Sequence, residues 1–153
     1  MHYESSRPPY SVTTDPAQIN LDVVHGFLSR SYWATNIPRA TLAKAIAHSL
    51  CFSLYKDHTQ IGFARVITDR ATFAYLADVF VLAEHRGAGI GTWFMSVLFA
   101  HPDLQGLRRF SLATRDAHGL YEKFGFTRPK NPDRLMEIVR TAAELYELGE
   151  PTA

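Results

Sequence analysis

Three glycines fall within five positions of the sequence, at Gly87, Gly89 and Gly91, directly before the apolar run TWFMSVLF. The segment before them, ATFAYLADVFVL, is also apolar and rich in residues that favour strands. A glycine loop between a buried strand and a helix leaves backbone N–H groups unpaired at the positive end of the helix dipole. This combination predicts an anion site, and phosphate is its commonest ligand.

Two nucleotide-binding patterns fail at this loop. A P-loop has the form G-x-x-x-x-G-K-[ST]. Counted from Gly87, Thr92 stands in place of the second glycine and Trp93 in place of the lysine. A dinucleotide fingerprint has the form G-x-G-x-x-G, and its last position is Thr92 when counted from Gly87 and Phe94 when counted from Gly89. Binding of ATP or of a dinucleotide is therefore disfavoured.

The remaining pattern is Arg86-x-x-Gly89-x-Gly91. It resembles the pyrophosphate loop of the GNAT superfamily of N-acetyltransferases, which has Gln or Arg, two residues, Gly, one residue, and then Gly or Ala. The later segment LYEKFGF, residues 120–126, is similar to the second signature of that family. The resemblance covers most of residues 10–140 and implies that acetyl-CoA, or a related acyl-CoA, is the acyl donor.

By this resemblance the pyrophosphate of the donor contacts the main chain of the loop, where glycines allow the backbone to approach closely. The pantetheine arm would pair with the backbone of Phe80 and Val81 like an extra strand. Thr114 stands where many relatives carry asparagine, and its hydroxyl would meet the same arm. A tight turn without a ligand is the alternative. The loop residues assigned to the donor are Arg86, Gly87, Ala88, Gly89, Ile90, Gly91 and Thr92.

Acetyl transfer to an amine requires a neutral amine and a proton for the departing thiolate. The resemblance places Tyr121 where many members carry the tyrosine that protonates the thiolate, although a core aromatic would fit there too. Asp78 interrupts an apolar strand, and a buried carboxylate must be paired, hydrogen-bonded or open to a cleft. It is the candidate base, with Tyr75 as second choice. A structural carboxylate bonded to backbone N–H groups at a bulge is the open alternative for Asp78.

The acceptor side is predicted in less detail. In this family the loop between the first two helices shapes the acceptor pocket, which implies contacts from Tyr32 and Trp33. Arg65 is the candidate partner for an acidic group on the acceptor. The resemblance implies an N-acetyltransferase that acetylates a primary amine of a small molecule or peptide by direct attack in a ternary complex. A catalytically silent acyl-CoA-binding or regulatory module on the same fold is the alternative.

The surrounding pattern predicts a mixed α/β fold. Two helices are expected between Asp15 and Leu50, one from about Ile90 to Ala100, and a short one in DAHGLYEKF. The resemblance sharpens this to a GNAT-type central sheet, mixed but mostly antiparallel, of six to seven strands flanked by about four helices. One domain over 1–153 is expected, with an ordered core at about 10–140 and a frayed end, LGEPTA. The predicted strands are YSVTTD, CFSLYK, IGFARVIT, ATFAYLADVFVL, LRRFSLAT, FGFTRP and RLMEIVR.

The composition limits the remaining function classes. The 153 residues carry 16 basic and 15 acidic side chains, a net charge of +1, so attraction to nucleic acid or a membrane is not expected. The single cysteine, Cys51, excludes an internal disulfide, and no spacing of ligating residues predicts a metal site. The start of the chain lacks the apolar stretch of a signal peptide, which predicts a cytoplasmic location. The aromatic content leaves room for a homodimer surface.

Overall fold

The computed structural model describes residues 2–146, and within them a single six-stranded sheet has its strands in chain order. All neighbouring strands are antiparallel except the last two, which are parallel. The strands are β1 (Glu4–Arg7), β2 (Tyr10–Thr13), β3 (Leu50–Lys56), β4 (Thr59–Thr68), β5 (Phe73–Val81) and β6 (Arg109–Leu112).

The helices follow the strands in groups: two lie between β2 and β3, one between β5 and β6, and two after β6. They are α1 (Leu21–Leu28), α2 (Arg39–Ala47), α3 (Ile90–Phe99), α4 (His118–Glu122) and α5 (Ala142–Tyr146). The predicted mixed α/β fold with a mostly antiparallel sheet is thus confirmed, with five helices within residues 2–146 where about four were expected.

The sheet carries an apolar core on each face. On one face, α3 packs Phe94, Met95 and Leu98 against a cluster that includes Phe52 of β3. On the other face, α1 and α2 cover a smaller cluster that includes Phe63 of β4. Because successive side chains of a strand point to opposite faces, the nearly continuous apolar runs of β3 and β4 supply both cores.

Two irregularities of β5 open the sheet near its end. The pairing of β4 with β5 shifts by one residue after Phe63, opposite Asp78, which has a positive φ of 54°. The pairing of β5 with β6 stops at Leu76 opposite Leu112, so the two parallel strands are no longer paired beyond that point. Several side chains of β5 between these points are only half buried.

The N-terminal part differs from the expectation in two ways. The predicted first helix is divided, because the side chain of Asp15 caps a separate 3-10 turn, Pro16–Gln18, and the side chain of Asn20 then caps α1 by accepting from the N–H of Val23 at 3.3 Å. The polar start of the chain forms β1, which has little apolar patterning and which sequence periodicity therefore missed.

The C-terminal part also differs. FGFTRP and RLMEIVR were expected as strands, but neither forms one, and every residue from 127 to 141 is exposed. Phe124 and Phe126 instead pack on Phe99 of α3. The LGEPTA end, expected to fray, lies outside the described residues.

Candidate active site

The glycine loop turns sharply into α3. Gly87, Ala88 and Gly89 have successive positive φ angles of 96°, 55° and 72°. Gly89 then caps the helix in the left-handed conformation, which glycine adopts without the steric cost of a Cβ. The next residue, Ile90, is only 2% exposed and anchors the start of α3 in the core.

This turn leaves a row of unused backbone donors. Within residues 2–146, the N–H groups of Gly87, Ala88, Gly89, Gly91 and Thr92 make no hydrogen bond, whereas those of Ile90 and Trp93 bond to carbonyls of the loop. A Cβ added at any of the three glycines would meet no atom within 4 Å, so the space over the loop is open. Exposed donors at the positive end of a ten-residue helix fit a diphosphate.

Arg86 braces the loop. Its Nε donates to the carbonyl oxygen of Val81 at 2.8 Å, which ties the loop to the last residue of β5. The side chain of Phe80 is buried and stacks on Phe27 with ring centroids 4.1 Å apart. Any contact of Phe80 with a donor would therefore have to involve its backbone.

A cavity of about 480 Å³ lies where β5 and β6 cease to pair. Its walls are residues 75–79 of β5, residues 112–117 at and after the end of β6, Tyr121 of α4, and the loop residues Tyr32 and Trp33. The cavity thus gathers Tyr32, Trp33, Tyr75, Asp78, Thr114 and Tyr121, which were all singled out in the sequence. Because β5 runs from this cavity to the glycine loop, the strand connects the two places.

Tyr121 lines the cavity and also belongs to the larger apolar core. Its side chain is 8% exposed and packs edge-on to Phe126, yet no residue among 2–146 hydrogen-bonds to its hydroxyl. Burial raises the pKa of the Tyr121 phenol to about 12. The phenol therefore keeps its proton, and it combines the core role and the cavity position that the sequence left as alternatives.

Asp78 is held by two side chains. One carboxylate oxygen accepts from Nε of Arg65 at 2.7 Å, and the other accepts from Nε1 of Trp33 at 2.9 Å. A further bond of 3.1 Å joins Arg65 to the hydroxyl of Ser49. The side chains of Asp78 and Arg65 are 9% and 16% exposed, so this ion pair is largely shielded from water. Asp78 lies at a bulge, as expected for a structural carboxylate, but its hydrogen-bond partners are side chains and not backbone N–H groups.

The same contacts position the loop between α1 and α2. Trp33 is fixed to β5 through Asp78, and Tyr32 packs edge-on to Trp33 with centroids 5.1 Å apart. The guanidinium of Arg115 lies 3.8 Å from the centre of the Tyr32 ring. This cation–π contact spans the cavity from the β6 side to the loop.

The remaining candidates are placed as follows. Arg65 does not line the cavity, and its guanidinium is already hydrogen-bonded to Asp78 and Ser49. The guanidinium among the cavity-lining residues belongs to Arg115. The hydroxyl of Thr114 lies in the wall and accepts from the N–H of Ala117 at 3.0 Å. Cys51 is buried, and burial raises the pKa of its thiol to about 12, which disfavours the thiolate form that a nucleophile needs.

Sequence reasoning missed three contributors to this site, namely Ser49, Phe27 and the bridging position of Arg115. Ser49 ends the turn after α2 and bonds to Arg65, and Phe27 packs on Phe80 from α1. No motif links these residues to the site, because tertiary packing brings them to Arg65, Phe80 and Tyr32. Within residues 2–146, no group of three or more His, Cys, Asp or Glu side chains is placed to hold a metal ion.

An open cavity that β5 connects to a loop with unused N–H donors, with a phenol among its lining residues, fits acyl transfer from a donor that carries a diphosphate. Comparison with known proteins agrees. The acetyltransferase (GNAT) domain matches residues 47–128. A provisionally named acetyltransferase of Gibberella zeae is 36% identical over 141 residues, covering 77% of this chain and 78% of that protein.

Solved structures give the same result. A crystal structure of a provisionally named GNAT-family acetyltransferase from Xanthomonas campestris pv. campestris has 53% identity and a TM-score of 0.86, covering 90% of this chain and 97% of that one. An acetyltransferase from Clostridium acetobutylicum, crystallised with acetyl-CoA, shares the fold at 15% identity and a TM-score of 0.61, covering 85% and 94% of the two chains. The chain belongs to the GNAT acetyltransferase family, and it is an acyltransferase.

None of the helices within residues 2–146 has the length and the apolar character needed to cross a bilayer.

Proposed function

We propose that this protein is an N-acetyltransferase that moves an acetyl group from acetyl-CoA to a primary amine by direct attack in a ternary complex. The observation that carries the proposal is the glycine loop, whose unused N–H groups open onto free space at the start of α3. Membership of the GNAT family supports acetyl-CoA as the donor, and the Clostridium acetobutylicum relative was crystallised with it.

The donor side of this proposal uses mainly backbone. The N–H groups of Gly87, Ala88, Gly89, Gly91 and Thr92 hold the pyrophosphate, while Ile90 contributes through its buried side chain. The arm of the donor then runs along Phe80 and Val81 toward the cavity, where Thr114 is within the wall. Arg86 keeps the loop attached to β5. Acetyl-CoA supplies the activated thioester.

Tyr121 supplies the proton for the departing thiolate. Tyr121 lines the cavity, its hydroxyl has no hydrogen-bond partner among the described residues, and its raised pKa keeps it protonated at neutral pH. A group that must donate a proton has to hold one when the reaction begins, and burial ensures this.

Asp78 acts by positioning. Both of its oxygens accept from fixed donors, so taking up the proton of an amine would break the ion pair with Arg65 or the bond to Trp33. We therefore propose that Asp78 holds the acceptor loop against β5, and that the proton of the attacking amine leaves by way of water in the cavity.

The acceptor is a small-molecule or peptide amine. A cavity of about 480 Å³ lies within the usual range for small-molecule sites. Its walls carry the rings of Tyr32, Trp33 and Tyr75, which suit a flat or aliphatic body beside the amine.

The single buried cysteine, with no disulfide to maintain, supports a reducing cytoplasmic location.

The experiment that tests this proposal is a screen of amines with purified protein and acetyl-CoA, detecting the free thiol of coenzyme A. The panel contains amino acids, polyamines, aromatic amines and short peptides, each run against a control without protein. Acetylation of at least one amine, confirmed by mass spectrometry, is expected. Binding of acetyl-CoA without transfer to any amine would favour the silent binding module instead.

A further inference from the structure

Part of the sheet face that carries α1 and α2 is left uncovered by these helices. They cover a cluster on this face that includes Cys51 of β3 and Phe63 of β4. Further along β4, Ile67 is 43% exposed, and Phe73 at the start of β5 is 40% exposed. Large apolar side chains that stay exposed together on one face mark an interaction surface, whereas scattered ones do not.

The strand register brings these side chains together. The larger core on the opposite face takes every second side chain of the three strands concerned, namely Val66, Ala74, Leu76, Phe110 and Leu112. The side chains between them therefore point to the uncovered side, and they form what we call the open face: Ile67, Phe73, Tyr75, Arg109 and Ser111. Ile67 pairs with Tyr75, and Phe73 pairs with Arg109. The open face is thus an apolar surface with one arginine at its edge.

The open face continues into the cavity, because Tyr75 belongs to both. The cavity wall includes residues 75–79 of β5, with Ala77 at their middle, and Arg109 lies beside Phe73, four residues earlier on the strand. At about 3.3 Å per residue this separation is about 13 Å. A single amino acid is much shorter than this distance, whereas an extended peptide of about five residues spans it.

The charge at the far end of the open face is positive. Arg109 forms no salt bridge within residues 2–146. The carboxylate of Asp69, in the turn between β4 and β5, already accepts from three backbone N–H groups of that turn, and Asp78 is bonded to two side chains. Asp116 lines the cavity, at the other end of the track. A carboxylate on the ligand is therefore the group that suits the Arg109 guanidinium.

From these observations we propose that the acceptor is a peptide that crosses the open face, with its amine in the cavity and an acidic side chain on Arg109. Apolar side chains of the peptide pack on Ile67, Phe73 and Tyr75. This inference rests on the proposed acetyl transfer and names its substrate class. The peptide nitrogen forms a bond to the thioester carbonyl as the carbon–sulfur bond breaks. The thiolate takes the proton of Tyr121, and the amine proton leaves to water. Arg109 determines specificity and takes no part in these steps.

Three peptides with a free N-terminus and an amidated C-terminus test the inference. The first has five residues, with leucine at the second and third positions and glutamate at the fifth. The second has arginine in place of the glutamate, which adds no amine that could be acetylated. The third is the dipeptide made of the first two residues. With purified protein and acetyl-CoA, kcat/KM should be about 10-fold or more higher for the glutamate peptide than for either of the others, the size of one charge-assisted hydrogen bond.

Charge reversal at Arg109 sharpens the test. Arg109→Glu should reverse the preference between the glutamate and arginine peptides and leave the dipeptide unchanged. Arg108→Glu is the matched control, since it makes the same change one residue earlier, where the alternation of β6 points to the other face. This control should keep the preference for the glutamate peptide. Ile67→Ser should lower kcat/KM for both longer peptides and spare the dipeptide.

Equal kcat/KM for the three peptides would overturn the peptide assignment, and so would a preference that Arg109→Glu leaves unaltered. Acetyl transfer itself would stand in either case, provided that some amine is acetylated.

Isothermal titration of the glutamate peptide onto the wild type in the presence of coenzyme A provides a measurement without turnover. Binding that Arg109→Glu weakens about 10-fold would support the open face even if no amine were acetylated, whereas absence of binding would overturn the proposal. A wild type that sediments as a dimer and that Ile67→Lys separates would place a second copy on the open face, and would also overturn it.

Discussion

Two regions along β5 are built on different principles. At the end of the strand, the glycine loop offers donors that belong to the backbone and lie within six consecutive residues. In its middle, the cavity is organised by the side chains of Asp78, Arg65 and Trp33, which come from three elements far apart in the chain. We propose that the first region binds the donor that the family shares, whereas the second is free to differ.

This difference has an energetic side. The N–H groups of the loop are unused and the space over its glycines is open, so we expect that binding an anion costs little rearrangement. The Asp78 ion pair is shielded from water, so removing one partner leaves the other charge poorly compensated. We therefore expect substitutions in the loop to remove donor binding without unfolding the protein, and substitutions in the network to alter both the acceptor site and stability.

The largest effect is expected from Gly91→Leu. Gly91 lies in the first turn of α3 with an ordinary φ and open space around it, so leucine should favour the helix by up to about 1 kcal/mol. The same side chain would stand among the N–H groups of the loop. Isothermal titration should show acetyl-CoA affinity reduced by about 100-fold or more in a folded variant. Gly26→Leu in α1 is the matched control and should bind normally; normal binding by Gly91→Leu would remove the loop from the donor site.

Tyr121→Phe should come next, with turnover on an identified acceptor reduced by about 100-fold, because loss of a general acid typically has this size. The affinity for acetyl-CoA should change little. Since the phenol has a pKa of about 12, the wild-type turnover should not fall through loss of this proton up to about pH 10. Unaltered turnover in Tyr121→Phe would contradict the assignment. So would a fall of wild-type turnover near the ordinary tyrosine pKa, if that fall is absent in Tyr121→Phe.

Asp78→Asn tests whether the acceptor side depends on positioning. Asparagine can still accept from Trp33, but it leaves Arg65 without its counter-ion, so we expect lower stability and an acceptor KM raised by about 10-fold. Trp33→Phe removes only the indole donor and should raise the same KM in the same direction. The acidic limb of the kcat/KM profile should persist in both variants, whereas its selective loss in Asp78→Asn would make Asp78 the base.

The smallest effect is expected from Arg115→Ala. An exposed cation–π contact such as that of Arg115 with Tyr32 contributes about 0.5–1 kcal/mol, so the acceptor KM should rise two- to fivefold, roughly. The affinity for acetyl-CoA should be unchanged, as in the control Arg128→Ala. A marked loss of acetyl-CoA affinity in Arg115→Ala alone would move this residue to the donor side and weaken the contrast between the two regions.

The contrast also explains what the sequence could predict. The glycine loop was predictable because its function depends on backbone conformation, and Gly87, Gly89 and Gly91 mark that conformation locally. Asp78 was recognisable as a polar residue in an apolar strand, but its partners Arg65 and Trp33 were not, because the bulge and the loop that bring them together are tertiary features. The RLMEIVR segment was expected as a strand from its composition, but within residues 2–146 it pairs with no strand, because strand composition alone does not place a segment beside a sheet edge.

The central claim, that this chain binds acetyl-CoA as its donor, is tested most directly by thermal unfolding of the wild type with and without acetyl-CoA. At a concentration about 100-fold above the dissociation constant, the melting temperature should rise by roughly 5–10 °C. ATP and NAD at equal concentration should produce a much smaller shift. A melting temperature that saturating acetyl-CoA leaves unchanged would contradict the account.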